Sequence, residues 1–372
     1  MENAIISLGH HWNTIQKSLF PRIEDELGEL DEKQRAFVNI CELIIDDKAF
    51  IKYRWSGNGR PPCARKAFFK AFILKALWNL PSTRATILLI RSSPTLRRLC
   101  GWESLGEIPN ESTFSRAFAM FAEDGIASIA LSACTTKALG NNGVFHVSYD
   151  STAIDAREQG SKREKEKRSW SHEDKRTYKQ RNRDAETNFK ELPKTCDWGR
   201  KFNSKGRIIQ WRGYKLHVAV GDGDIPLTAC LTSASLHDSQ AIIPMMQQTS
   251  KSFFYFYDLA DSAYDANDIL ETSILLGHKP LIEANPRKDK IRHVSSEIMP
   301  IKKDSIGPRI TNIIPAEDLR YRIRTNVERV FSHLHDAHGG KNIMVRGNEK
   351  VLLHLMFGLL VIAAEQILKL VA

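Results

Sequence analysis

The chain has 372 residues, 42% hydrophobic and 26% charged, which is enough for about two domains with a real core and is the composition of a globular protein. Lys and Arg number 54 against 44 Asp and Glu, a formal net charge of +10, compatible with a polyanionic partner. Six cysteines, Cys41, Cys63, Cys100, Cys134, Cys196 and Cys230, stand singly. That pattern indicates neither a zinc knuckle nor a dense disulfide framework, and reads as reduced thiols in a cytoplasmic protein. The N-terminus, with Glu2 and an early His-His-Trp, is not a signal peptide. The most apolar segment, Val351–Ala364, is interrupted by His354 and too short for a bilayer, so a buried C-terminal helix and no membrane is expected.

Residues 1–140 read as helical. Arg65–Leu80 carries a broad apolar face through Phe68, Phe69, Phe72, Ile73, Ala76, Leu77 and Leu80. Pro81 ends it and Ser82 caps the next helix. Pro94 opens a short helix, and Pro109–Arg116 places cap residues before another. Arg84, Arg91, Arg97, Arg98 and Arg116 lie among these helices. Two readings stay open: a bundle that grips DNA, or a helical domain with solvated arginines.

The texture then changes. Gly143–Tyr149 reads as a short strand ending in Asp150-Ser151-Thr152. A charged run, 157–205, reads as an extended or partly disordered excursion, either a solvated linker or an arm that follows a phosphate backbone. Ile208–Val220 and Pro226–Thr232 flank Gly221–Asp224 as a β-hairpin. Leu236–Ser239 caps a helix over Gln240–Gln247, Phe253–Tyr257 reads as a strand, and Ala266–Leu276 as a helix closed by Gly277. Pro280–Glu283 is a further strand, followed by an irregular insertion, 285–317. Strands alternating with helices imply a mixed sheet covered by helices on both faces.

Tyr321–Leu334 reads as one helix with two faces. At about 100° per residue, Tyr321, Arg324 and Glu328 share a stripe about 60° wide, beside an apolar face of Ile323, Val327, Val330, Phe331 and Leu334. Alone, Arg324–Glu328 is an ordinary i,i+4 surface pair. Asp150 and Asp261, however, fall at strand ends, where side chains from distant sequence converge in open α/β sheets. Three carboxylates suit two Mg²⁺ or Mn²⁺ ions about 4 Å apart, the arrangement that holds the attacking and leaving oxygens of a phosphodiester. Asp258 competes with Asp261, and Asp155 more weakly with Asp150. Asp265 reads as an N-cap. His237-Asp238 reads as a helix cap rather than a relay. His333, His335 and His338 lie close together, but no Cys or carboxylate set completes a zinc site with them.

Five stretches in order, FHVSYDSTAI, GYKLHVAV, LTSASLHDS, LADSAYDA and YRIRTNVERVFSHL, resemble the DDE transposases of bacterial insertion sequences. The branch is that of groups four and five, with its Tyr-x2-Arg-x3-Glu-x6-Lys signature. Tyr321, Arg324 and Glu328 stand at the signature's spacings, and IPNESTFSRAF resembles the N-terminal segment of the same elements. The resemblance implies a ribonuclease-H-like catalytic domain over 141–340, after a helical DNA-binding domain over 1–140 and before a C-terminal helix over 341–372. It implies the metal-binding triad Asp150, Asp261 and Glu328, choosing Asp261 over Asp258. Tyr321, Arg324 and the residue in the Lys slot, here His335, are implied to position DNA or its phosphates. The implied activity is cleavage at the element's inverted terminal repeats and transfer of the 3′-hydroxyl into target DNA, by a homodimer on paired ends at the nucleoid. A nuclease without a joining step, or a non-catalytic DNA-binding descendant, are the alternatives.

Overall fold

The structure is a computed structural model and describes residues 9–10, 12–45, 50, 64–140, 144–161, 171, 173, 175–202, 206–284 and 316–371. Much of the charged run and nearly all of the 285–317 insertion lie outside the described residues. The chain forms two units, one made of 1–140 with 332–372 and the other of 141–331.

The first unit is helical because caps and prolines punctuate its apolar segments. Its helices are α1 (Phe20–Leu27), α2 (Glu32–Ile44), α3 (Arg65–Leu77), α4 (Thr83–Ser92), α5 (Pro94–Cys100), α6 (Glu111–Glu123) and α7 (Ile126–Leu139). Asp31 starts α2 with a capping box, its Oδ1 accepting from the Gln34 N–H at 2.7 Å. Ser82, Ser93 and Asn110 cap α4, α5 and α6 in turn. Edge-on phenylalanines fill the core, with Phe68–Phe114 at 4.8 Å and Phe72–Phe118 at 4.9 Å between ring centres. The C-terminal helix, Asn348–Val371, packs against α2, α3, α6 and α7 and sends Phe357 into this cluster. Length and composition would let it cross a membrane, but most of its apolar stretch is buried within the protein.

The second unit holds β1 (His146–Asp155), helices α8 (Arg176–Arg181) and α9 (Ala185–Glu191), β2 (Asp197–Phe202), β3 (Ile208–Gly221) and β4 (Ile225–Ser233). There follow α10 (Ser239–Ser252), β5 (Tyr257–Ala260), α11 (Asn267–Leu275), β6 (Lys279–Ile282), α12 (Ala316–Tyr321) and α13 (Thr325–Ala337), which runs on past this unit; the C-terminal helix is α14. The mixed sheet runs β2-β3-β1-β5-β6, with β4 on β3; β1 is antiparallel to β3 and parallel to β5, and β5 is parallel to β6.

Four expectations change here. The strand before Asp150 does not stop there but continues to Asp155, because Ser151–Ile154 stay paired to β3. The strand expected over Phe253–Tyr257 begins only at Tyr257; Phe254 and Phe256 are exposed. The charged run contains α8, α9 and β2, anchored by buried amides: Gln180 donates to the Gln240 carbonyl and Asn188 to the Gln180 carbonyl, both at 2.8 Å. The helix expected over Tyr321–Leu334 is broken by a 3₁₀ turn at Arg322–Arg324, which separates α12 from α13. Asn326 fixes the restart, donating to the Gly221 carbonyl at 3.0 Å from a fully buried position.

Candidate active site

Register brings the acids together. On the parallel strands β1 and β5, Ser148 pairs with Leu259, so Asp150 and Asp261 follow two residues on in the same row. On β5 and β6, Ala260 pairs with Ile282, which sets Glu283 next to Asp261. Alternation along a strand then turns Asp150, Asp261 and Glu283 to one face. Asp258 sits on the opposite face, fully buried, accepting from Ser273 Oγ at 2.6 Å and facing His278 Nδ1 at 3.0 Å.

Asp150 accepts from the Ser151 N–H at 2.7 Å, and Asp261 from the Ala263 N–H at 2.9 Å. Burial pushes the Asp150 carboxyl up to about 7; the Ser151 N–H opposes this, the Asp261 charge adds to it, and Arg324 offsets part. Burial also raises Asp261, against the Ala263 N–H and Arg324 and with Asp238 and Glu283. Two part-buried, mutually repelling carboxylates with oxygen-only donors fit a hard divalent cation, whose charge would relieve both effects.

Glu328 lies differently. Its half-exposed carboxylate accepts from Arg324 at 3.0 Å, and the same guanidinium stands 3.7 Å from Asp150 Oδ2. Arg324 therefore sits between the aspartate pair and the third acid, 5.8 Å from the centre of the Tyr321 ring. Its Nε is buried without a hydrogen-bond partner. Tyr321 donates to Glu283 at 3.3 Å. His335 lies two turns beyond Glu328 on α13, half-buried.

Sequence reasoning passed over Glu283 and read Asp238 only as part of a helix cap. Glu283 ends a strand, as Asp261 does, and the rule that singled out strand ends applies to it equally. Asp238 does not cap α10 with its side chain. Instead it accepts from Ser151 Oγ at 2.7 Å and pairs with Lys215 Nζ at 2.9 Å, beside Asp150. Burial works against the Asp238 charge, but Lys215 and His217 hold its carboxyl below the usual range. His237 does serve the helix start, with Nδ1 2.8 Å from Ser239 Oγ. Asp265 is not the N-cap of α11, since Ala266 takes that position.

A five-stranded core ordered β4-β3-β1-β5-β6, with paired aspartates on adjacent parallel strands, defines a ribonuclease-H-like domain. A family model described as "Transposase DDE domain" matches residues 146–363, and one described as "Transposase domain (DUF772)" matches residues 25–119. The chain belongs to the transposase DDE domain family. Transposases of this family act on DNA and generally use divalent metal ions. Among curated proteins none matches the chain.

The raised Asp150 carboxyl makes a stability prediction. A carboxyl that titrates near 3.9 unfolded and at about 7 folded binds its proton more tightly in the native state. Without divalent metal, stability should therefore fall as pH rises from about 4 to about 7, by on the order of a few kcal/mol, and level off above. Asp150→Asn should flatten that slope in metal-free denaturant melts. An unchanged slope would remove Asp150 as its source.

Proposed function

We propose that this chain cuts DNA at the ends of an insertion sequence and joins the freed 3′-hydroxyls to target DNA, with Asp150, Asp261 and Glu328 as the metal-binding acids. The observation that carries this reading is the register row that sets Asp150 beside Asp261 within the matched transposase domain. Bound Mg²⁺ or Mn²⁺, two ions in this reading, would lower the pKa of a water or 3′-hydroxyl and stabilise charge on the phosphorus centre.

The chain's own groups have separate tasks in this reading. Asp150 and Asp261 supply the part-buried negative pair that would hold the cation. Arg324 releases Glu328 and offers its guanidinium, including the unpartnered Nε, to a phosphate oxygen. Tyr321 orients Arg324 through its ring face, and Glu283 holds the Tyr321 hydroxyl. His335 takes the position of the signature lysine as a DNA contact. In the helical unit, Arg84 and Arg98 are paired to exposed Glu111 and Glu103. Such pairs contribute only ~0–1 kcal/mol, so a DNA phosphate replaces the glutamate readily. Double-stranded inverted repeats and target DNA are the proposed partners, with two copies acting on paired ends at the nucleoid.

The deciding experiment incubates the purified protein with DNA carrying the inverted repeats that flank its reading frame, a supercoiled target plasmid and Mg²⁺. Joined products with the element's 3′ ends in the plasmid are expected. Cut ends that never join would replace this reading with a nuclease, and binding without cutting would replace it with a non-catalytic descendant. In the same assay Arg324→Ala should slow joining about 100–1000-fold, the range for losing one donor to a transition-state oxyanion. Wild-type rates in that variant would remove Arg324 from the chemistry.

A further inference from the structure

We propose that His333, His338 and Glu365 form a separate binding site for a zinc-class divalent cation in the helical unit. One ligand atom from each lies within 4.8 Å of the others, and among the described residues no other set of three meets that criterion. The sequence offered His333, His335 and His338 as a cluster with no carboxylate to complete it. The fold corrects this: α14 brings Glu365 to His333 and His338, and His335 is not in the set.

Geometry favours an ion over a simple pair. His338 Nε2 is 3.4 Å from Glu365 Oε2, longer than the ~2.7–2.9 Å of a charge-assisted hydrogen bond. It is close to the roughly 3.3 Å edge of a tetrahedron with metal–ligand bonds of about 2.0–2.1 Å. His338 is only 4% exposed, so its ring is held beside Glu365 by packing. His333 is exposed, with its ring centre 5.8 Å from that of His338, so rotation of its side chain closes the set.

The backbone under His338 is fixed beforehand. Gly339 has φ of +83°, donates its N–H to Asn79 Oδ1 at 3.0 Å, and accepts at its carbonyl from His354 Nε2 at 2.9 Å. A Cβ at Gly358 would stand 2.7 Å from the His338 carbonyl oxygen, so α14 packs directly on this turn. A preset imidazole of this kind loses little freedom on binding.

Donor chemistry selects the ion. Two imidazoles and one carboxylate suit Zn²⁺ or a neighbouring transition metal, whereas Mg²⁺ and Ca²⁺ prefer oxygen ligands throughout. The three residues border a cleft of about 700 Å³ that Asp31 and Glu32 also line, which leaves a fourth position for water or a carboxylate. The site ties the end of α13 to α14, and is chemically distinct from the Asp150–Asp261 pair.

The test uses full-length protein stripped with a chelator and held in millimolar Mg²⁺, titrated calorimetrically with Zn²⁺ and optically with Co²⁺. One Zn²⁺ per chain is expected, with the strong visible absorption of tetrahedral Co²⁺. His338→Gln and Glu365→Gln should each weaken binding roughly 100-fold or more and abolish that absorption. His333→Gln, on an exposed side chain that leaves the fold undisturbed, should also weaken it at least 10-fold, while His335→Gln should not. The double variant Asp150→Asn with Asp261→Asn should bind Zn²⁺ as the unaltered protein does. Absence of Zn²⁺ binding, binding that survives His333→Gln and Glu365→Gln, or binding lost with the two aspartates would each overturn the site.

Discussion

Asp150→Asn and Asp261→Asn should each lower DNA cleavage and joining by on the order of 10³-fold, because a metal-held charge contributes several kcal/mol to the transition state and each 1.36 kcal/mol is tenfold. The two acids stand in one register row, and burial raises both carboxyls. Glu283 adjoins Asp261 but hydrogen bonds with Tyr321. DNA affinity should stay within a few-fold, since basic side chains supply it and losing one anion does not weaken it. Misfolding is excluded by the sign of a second measurement: Asp150→Asn removes a charge that partial burial disfavours, so this variant, metal-free at pH 8, should melt above the unaltered protein. Joining at wild-type rates in either variant would discard the pair as the reacting centre.

Gly213→Ala should destabilise the catalytic unit by about 3 kcal/mol or more, a drop of roughly 6–12 °C in melting temperature for a unit of this size. Gly213 sits on β3 opposite Asp155 of β1 and Asp197 of β2. A Cβ there would lie 2.0 Å from the Ile154 carbonyl oxygen and 2.8 Å from the Ala156 N–H nitrogen. The backbone at the end of β1 has to move, and β1 is the strand that carries Asp150. Gly277→Ala is the matched control, with φ of +87° but nothing within 4 Å of the new methyl. It should cost only the ~1–2 kcal/mol of a left-handed backbone. Equal losses at the two positions would show that contact with β1 is not the cause.

Much of the catalytic unit could be read from its pattern. The hairpin announced itself through two β-rich runs around Gly221–Asp224, and β3 and β4 pair there. Asp261 was marked by its place at the end of an apolar strand, whereas Asp150, read the same way, lies within β1 and meets Asp261 through the strand register. What escaped was decided by contacts distant in sequence. Nothing local in Tyr321–Thr325 breaks a helix; the 3₁₀ turn accompanies Arg324 reaching towards Asp150 and Asn326 bonding to Gly221. High charge in 157–205 suggested a solvated run, yet Gln180 and Asn188 are buried there among lysines and arginines. Glu283 needed the strand register to show that it neighbours Asp261. Glu365 comes 27 positions after His338, a separation no ligand-spacing motif covers.

The helical unit is built from two separate stretches of the chain, 1–140 and 332–372, with the catalytic unit encoded between them. On the ribosome, the catalytic unit therefore emerges entire before the helices around Phe72 receive Phe357 from α14. Domains fold as units during synthesis at about 5–20 residues per second, so those helices wait for roughly 10–50 seconds with an incomplete core. A nascent or prematurely terminated chain can thus own a folded catalytic unit and lack a finished helical one. Translation itself orders the maturation of the enzyme, and the codons of α14 complete the unit whose other helices were made earliest.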